Sequence, residues 1–188
     1  MNQRFYLFLD ADGVLHPMEL RIRGMTLDEM KSTGARSPGE LQLLAGIHGF
    51  VNVSDEPPLS RLPLLEQTIR PFLANIEIVI SSSWRLKKKA LKQLLDCMSD
   101  DVRARVIGVT PQGSRMNDCR PDEIRAWLQQ HGKPGAMAIV LDDSSRHGNR
   151  TRFEGLGIWI QIDPAKAFGE DEAMQLTQIL RDGKYTGH

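Results

Sequence analysis

The chain has 188 residues, 40% of them hydrophobic, with 24 Lys and Arg against 24 Asp and Glu and a formal charge of zero. This length and composition fit one globular domain that buries its own core, and they exclude a disordered chain, a collagen, a coiled coil and a wholesale polyanion binder. Cys97 and Cys119 have neither CxxC nor Cys/His spacing, so a disulfide scaffold and a thiolate metal site are excluded as well.

In chain order, the first apolar run is FYLFL at Phe5–Leu9, which stops at Asp10. It is short and ends in acids, so it is read as a strand rather than a secretory leader. Residues 16–59 break the pattern with several glycines, Ser-Pro-Gly at 37–39 and Pro57-Pro58. They are expected to form a cap or flap inserted in a single domain spanning 1–188. Residues 62–73 place Leu62, Leu65, Ile69 and Leu73 on one helical stripe. IEIVI at Ile76–Ile80 predicts a strand that stops at Ser81, and residues 86–98 predict a second amphipathic helix. A weaker strand is expected at 105–109. A helix over 121–131 starts at Pro121 and stops at Gly132. AMAIVL at 136–141 stops at Asp142, IWIQI at 158–162 stops at Asp163, and a last helix is expected over 171–180. No apolar run reaches the ~18 residues of a membrane span, so a cytoplasmic protein without membrane association is expected. Strands that are apolar throughout, alternating with helices, predict an α/β fold with helices flanking a parallel sheet.

In an open parallel sheet, ligands bind beyond the carboxyl ends of the strands. Asp10, Ser81, Asp142 and Asp143 all stand there and are expected to converge. Asp10 and Asp12 flank a turn made possible by Gly13, and two carboxylates at one site repel unless a divalent cation joins them. The alternative for an isolated Asp-x-Asp-Gly is a plain surface turn.

DADGVLH after the first strand resembles the first motif of the haloacid dehalogenase (HAD) superfamily. IVISSSWR at 78–85 resembles its second motif and IVLDD at 139–143 its fourth. DGVLH, SSSWR and WIQIDP together are similar to the HAD domains associated with RNA-repair proteins. The resemblance implies a Rossmann-like HAD fold and a Mg²⁺-dependent phosphatase. Asp10 would be the nucleophile that forms an aspartyl-phosphate, and Asp12 the general acid and then base. Ser81, or Ser82 one residue on, would bind the phosphoryl group. Mg²⁺ would be held by Asp10, the backbone carbonyl of Asp12, Asp142 and Asp143. The family's third motif is a Lys, or less often an Arg, near the start of the helix before the fourth. No lysine stands there, and Arg120 is the best match, with Arg115 the runner-up.

Arg85 and Arg146, the latter in the loop SSRHGNRTR at 144–152, are candidate contacts to a substrate phosphate. Lys87, Lys88, Lys89 and Lys92 form either a solvated helix face or a nucleic-acid contact. His16 is assigned to the pocket wall and Trp84 to core packing. The expected partner is a phosphorylated substrate, either a small phosphate ester or a nucleic-acid end. A non-catalytic phosphate-binding module on the same fold, and phosphoryl transfer to an acceptor other than water, stay open as alternatives.

Overall fold

The computed structural model describes residues 3–22, 25–26, 49–51, 56–113, 120–143, 153 and 155–183. The strands are β1 Phe5–Leu9, β2 Glu19–Ile22, β3 Met25–Thr26, β4 Gly49–Val51, β5 Ile76–Ile80, β6 Val106–Val109, β7 Met137–Asp142 and β8 Ile158–Gln161. The helices are α1 Leu62–Ile69, α2 Lys88–Cys97, α3 Asp100–Arg103, α4 Arg120–His131 and α5 Glu170–Asp182. Five strands form one parallel sheet in the order β6-β5-β1-β7-β8. This is the α/β arrangement that the alternating pattern predicts and the Rossmann-like sheet that the resemblance implies.

All five residues of β1 are buried, as its place in the middle of the sheet requires. Side chains alternate between faces along a strand, and the core divides accordingly. Phe5, Leu7 and Leu9 pack with Leu62, Leu65 and Ile69 of α1, Leu94 of α2 and Leu176 and Ile179 of α5. Tyr6 and Phe8 face the other way, onto Ile124 and Trp127 of α4. The Trp127 and Phe8 rings pack edge to face, their centroids 5.5 Å apart and their planes at 84°.

The expected helix over 62–73 is α-helical only to Ile69 and continues as a 3-10 helix, Arg70–Asn75. Pro71 has no N–H with which to extend the α-helical ladder. The expected helix over 86–98 likewise starts as a 3-10 turn, Ser83–Leu86, before α2. The Ser82 hydroxyl opens that turn by accepting from the Trp84 N–H. Within the 16–59 segment, β3-β2-β4 form a small antiparallel sheet. Residues 23–24, 27–48 and 52–55 of that segment lie outside the described residues.

Candidate active site

Strand register builds the site. Leu9 stands in line with Ile80 and with Leu141, and Ile80 with Val109. The next residue of each strand therefore falls in one row: Thr110, Ser81, Asp10 and Asp142. The backbone carries the row one step beyond the paired positions, with Ser81 N donating to Leu9 O, Asp10 N to Leu141 O and Thr110 N to Ile80 O. The chain runs outward from β1 through β5 to β6 and then crosses to β7 on the far side. The row thus sits where strand order reverses, at the crevice that such sheets use for ligands.

Ser81 and Asp142 are fully buried and Asp10 nearly so. Asp10, Asp142 and Asp143 each bring a carboxylate oxygen to within 4.8 Å of the others. Gly13 makes room for this approach. Its φ is +72°, and a Cβ there would stand 2.6 Å from Asp143 Oδ2, so both its conformation and its missing side chain are required.

Arg120, the first residue of α4, is buried among these acids. Its Nη1 lies 3.1 Å from Asp10 Oδ2, 3.1 Å from Asp142 Oδ2 and 3.5 Å from Ser81 Oγ. Burial alone would push the guanidinium toward neutrality, but Asp10, Asp142 and Glu123 outweigh it and hold its pKa above the usual arginine value. Between the two sequence candidates for this place, the structure brings Arg120 to the acids. Arg115 lies outside the described residues, as do Cys119 and the 144–152 loop with Arg146.

Arg85 does not point out to a substrate. Nε donates to Thr110 O, Nη1 to Ser81 O and Ser82 O, and Nη2 to Pro111 O and to Glu123, 2.6 Å away. All five of its donors have partners inside the protein, and its side chain is 3% exposed. Its expected role as a phosphate grip gives way to that of a tie between the ends of β5 and β6 and α4. Burial, helped by the neighbouring Arg120 charge and opposed by Glu123, holds its pKa below the usual arginine value.

Glu123 completes the network. It pairs with Arg85, lies 3.8 Å from Arg120 Nε and accepts from the Gly113 N–H. Among the described residues, the carboxylates of Asp10, Asp142 and Glu123 thus face Arg120, and Glu123 also faces Arg85. The carboxylate oxygens that Asp10, Asp142 and Asp143 bring together are an all-oxygen donor set, which fits a hard divalent cation such as Mg²⁺. In the sequence Glu123 reads as an ordinary acid in a helix's first turn, and nothing there links it to Arg85, 38 residues away by number.

Asp12 follows Asp10 by two residues, directly before Gly13 with its left-handed backbone. Its side chain is 38% exposed, and three donors hold it: Trp84 Nε1 at 2.8 Å and His16 Nε2 at 3.4 Å on Oδ1, and Ser83 Oγ at 3.4 Å on Oδ2. Partial burial would raise its pKa. The hydrogen bonds from His16, Trp84 and Ser83 and the nearby His16 charge prevail, so the carboxyl sits below its ordinary value. Ser82 is buried, and its hydroxyl caps the 3-10 turn.

A family profile describing the HAD domain in Swiss Army Knife RNA repair proteins matches residues 6–173. The chain belongs to that family. No curated protein and no solved structure matches it. For this HAD domain the family assignment agrees with the sheet order and with the acids at the strand ends, and it points to a phosphohydrolase acting on a phosphorylated substrate. Among the described residues, no helix is long and apolar enough to cross a membrane.

Proposed function

We propose that this HAD domain is a Mg²⁺-dependent phosphomonoesterase that works through an aspartyl-phosphate on Asp10, with a phosphorylated nucleic-acid end as its substrate class. The observation that carries the reading is the meeting of Asp10, Asp142 and Asp143 with Arg120 at one row of strand ends.

Asp10 Oδ1 accepts from the Ala11 N–H at 2.7 Å and Oδ2 faces Arg120. This fixes the carboxylate for in-line attack on phosphorus. As the Asp10 O–P bond forms, the P–O bond to the leaving group breaks, and Asp12, which takes up a proton in the substrate complex where the phosphate's negative charge disfavours the carboxylate, delivers that proton to the departing oxygen. Asp12 then takes a proton from the water that cleaves the acyl phosphate. Arg120 and the Ser81 hydroxyl stabilise the equatorial phosphoryl oxygens. Asp10, the backbone carbonyl of Asp12, Asp142 and Asp143 would hold Mg²⁺, which supplies charge neutralisation between nucleophile and phosphoryl group. Against the alternative of a non-catalytic module stands Arg120, a cation set against both Asp10 and Asp142 where the family's third motif carries its basic residue.

Support for a nucleic-acid end comes from the family and from Lys87, Lys88 and Lys89. These are exposed and directly follow the turn whose Ser83 contacts Asp12. Lys92 is paired with Asp96 on the same helix. The test measures phosphate release from a terminally phosphorylated oligonucleotide and from its mononucleotide, at two salt concentrations with Mg²⁺. The oligonucleotide should be the better substrate and lose kcat/KM more steeply with salt, because its extra phosphates release counterions from the lysines. Replacing the three lysines with Ala should flatten that slope and spare the mononucleotide. Equal slopes in both proteins would favour a small phosphate ester.

A further inference from the structure

Asp12 is held by more donors than a carboxylate on an exposed turn needs. The indole N–H of Trp84 and the imidazole of His16 converge on the same oxygen, while Ser83 takes the other. The two rings lie 5.8 Å apart, tilted by 51°, and form a wall behind the carboxylate. The turn that brings His16 back to this wall is built for it. Leu15 N donates to Ala11 O, Asp12 and His16 form a β-bridge, and Gly13 takes the left-handed conformation between them.

His16 is 3% exposed, and its Nδ1 is buried with no hydrogen-bond partner among the described residues. An orphaned buried polar atom costs about 1–3 kcal/mol. A leucine or phenylalanine would fill the same space without that cost, so packing does not account for an imidazole here. The side of the ring that does make a polar contact is the side facing Asp12. Trp84 is comparable: its ring packs against the core, yet its one polar atom is aimed at the Asp12 carboxylate.

We infer that Trp84 and His16 are positioning residues that fix the Asp12 carboxylate toward the leaving-group oxygen, and that they thereby set how poor a leaving group the enzyme can expel. This rests on Asp12 being the general acid of the proposed reaction. An alcohol leaves with difficulty unless its oxygen is protonated as the P–O bond breaks, whereas p-nitrophenolate leaves unaided. Misplacing the acid therefore penalises alkyl esters selectively. Loss of a merely structural contact lowers turnover of both kinds alike.

The experiment compares kcat/KM for glycerol 2-phosphate and p-nitrophenyl phosphate, with Mg²⁺, in wild type, Asp12→Asn, Trp84→Phe, His16→Leu and His16→Gln. The ratio kcat/KM reports steps up to the first bond cleavage, so the later role of Asp12 as base does not enter. Asp12→Asn should lose about 100-fold or more on the alkyl ester and under about 5-fold on the aryl ester, in keeping with the size of general acid catalysis. Trp84→Phe and His16→Leu should each lose about 10-fold on the alkyl ester and about 2-fold on the aryl ester, and His16→Gln, which restores an N–H donor, should recover part of the loss. Equal losses on both esters in the Trp84 and His16 variants, with Asp12→Asn still selective, would overturn the inference and leave the acid role standing. An unselective Asp12→Asn would overturn the acid role and the inference with it.

A second readout needs no turnover. The chain has three tryptophans, and Trp84→Phe identifies which indole N–H resonance in a ¹⁵N spectrum belongs to Trp84. In Asp12→Ala that resonance should move upfield while those of Trp127 and Trp159 stay in place. An unmoved Trp84 resonance would contradict the clamp.

Discussion

Asp10→Asn should lower phosphate release at least about a thousandfold while the protein stays folded, because the variant keeps the shape of the side chain and removes the attacking charge. The amide oxygen can still accept from the Ala11 N–H. Removing one charge from the carboxylates gathered at Asp10, Asp142 and Asp143 also relieves repulsion, while Asp142 and Glu123 still face Arg120. Thermal unfolding without Mg²⁺ should therefore occur no lower than in wild type, and the added stability on saturating with Mg²⁺ should shrink. A variant with near wild-type turnover would rule out Asp10 as the nucleophile.

Arg120→Ala should be damaging in two measurable ways. It leaves Asp10, Asp142 and Glu123 facing one another without their shared cation. Stripping one partner from a buried ion-pair network costs about 3–5 kcal/mol, to be read as a fall in the urea midpoint of the metal-free protein. Mg²⁺ should restore more stability to this variant than to wild type, because the site it enters is more negative. Activity should fall by about 10²–10³, the usual consequence of deleting one group that stabilises transition-state charge. Arg120→Lys should recover a good part of the stability and less of the activity, since a single ammonium cannot span Asp10, Asp142 and Glu123 as the planar guanidinium does. Wild-type stability in Arg120→Ala would mean that the acids are balanced from elsewhere.

The strands of the main sheet are legible because each is a short apolar run stopped by an acid, a hydroxyl or a turn residue, and burial on both faces leaves few other places for FYLFL or AMAIVL. Asp10, Ser81 and Asp142 follow from the same signal: a parallel sheet in near-perfect register brings successive strand ends to one row. The end of α1 was less legible, since the apolar stripe runs on through Leu73 and only Pro71 marks the change to a 3-10 turn. The small β3-β2-β4 sheet has no strong period of its own. Arg85 misled because its exposure is decided by tertiary structure. Its neighbours in sequence are serines and lysines, whereas its partners are carbonyls of the β5 and β6 ends and a carboxylate on α4. His16 and Trp84 look like wall and core residues in sequence. Their shared contact with Asp12 depends on how two distant turns meet.

The most direct test of the account is to trap the covalent intermediate. Wild-type protein is mixed with substrate and Mg²⁺, quenched during steady turnover and reduced with borohydride, which converts an acyl phosphate to an alcohol, and the peptides are then weighed. The account predicts that the label falls on Asp10 and on no other carboxylate, disappears when the metal is removed by chelation, and is absent from Asp10→Asn. Rapid turnover with Asp10 unlabelled, or with the label on Asp12 or Asp142 instead, would contradict it.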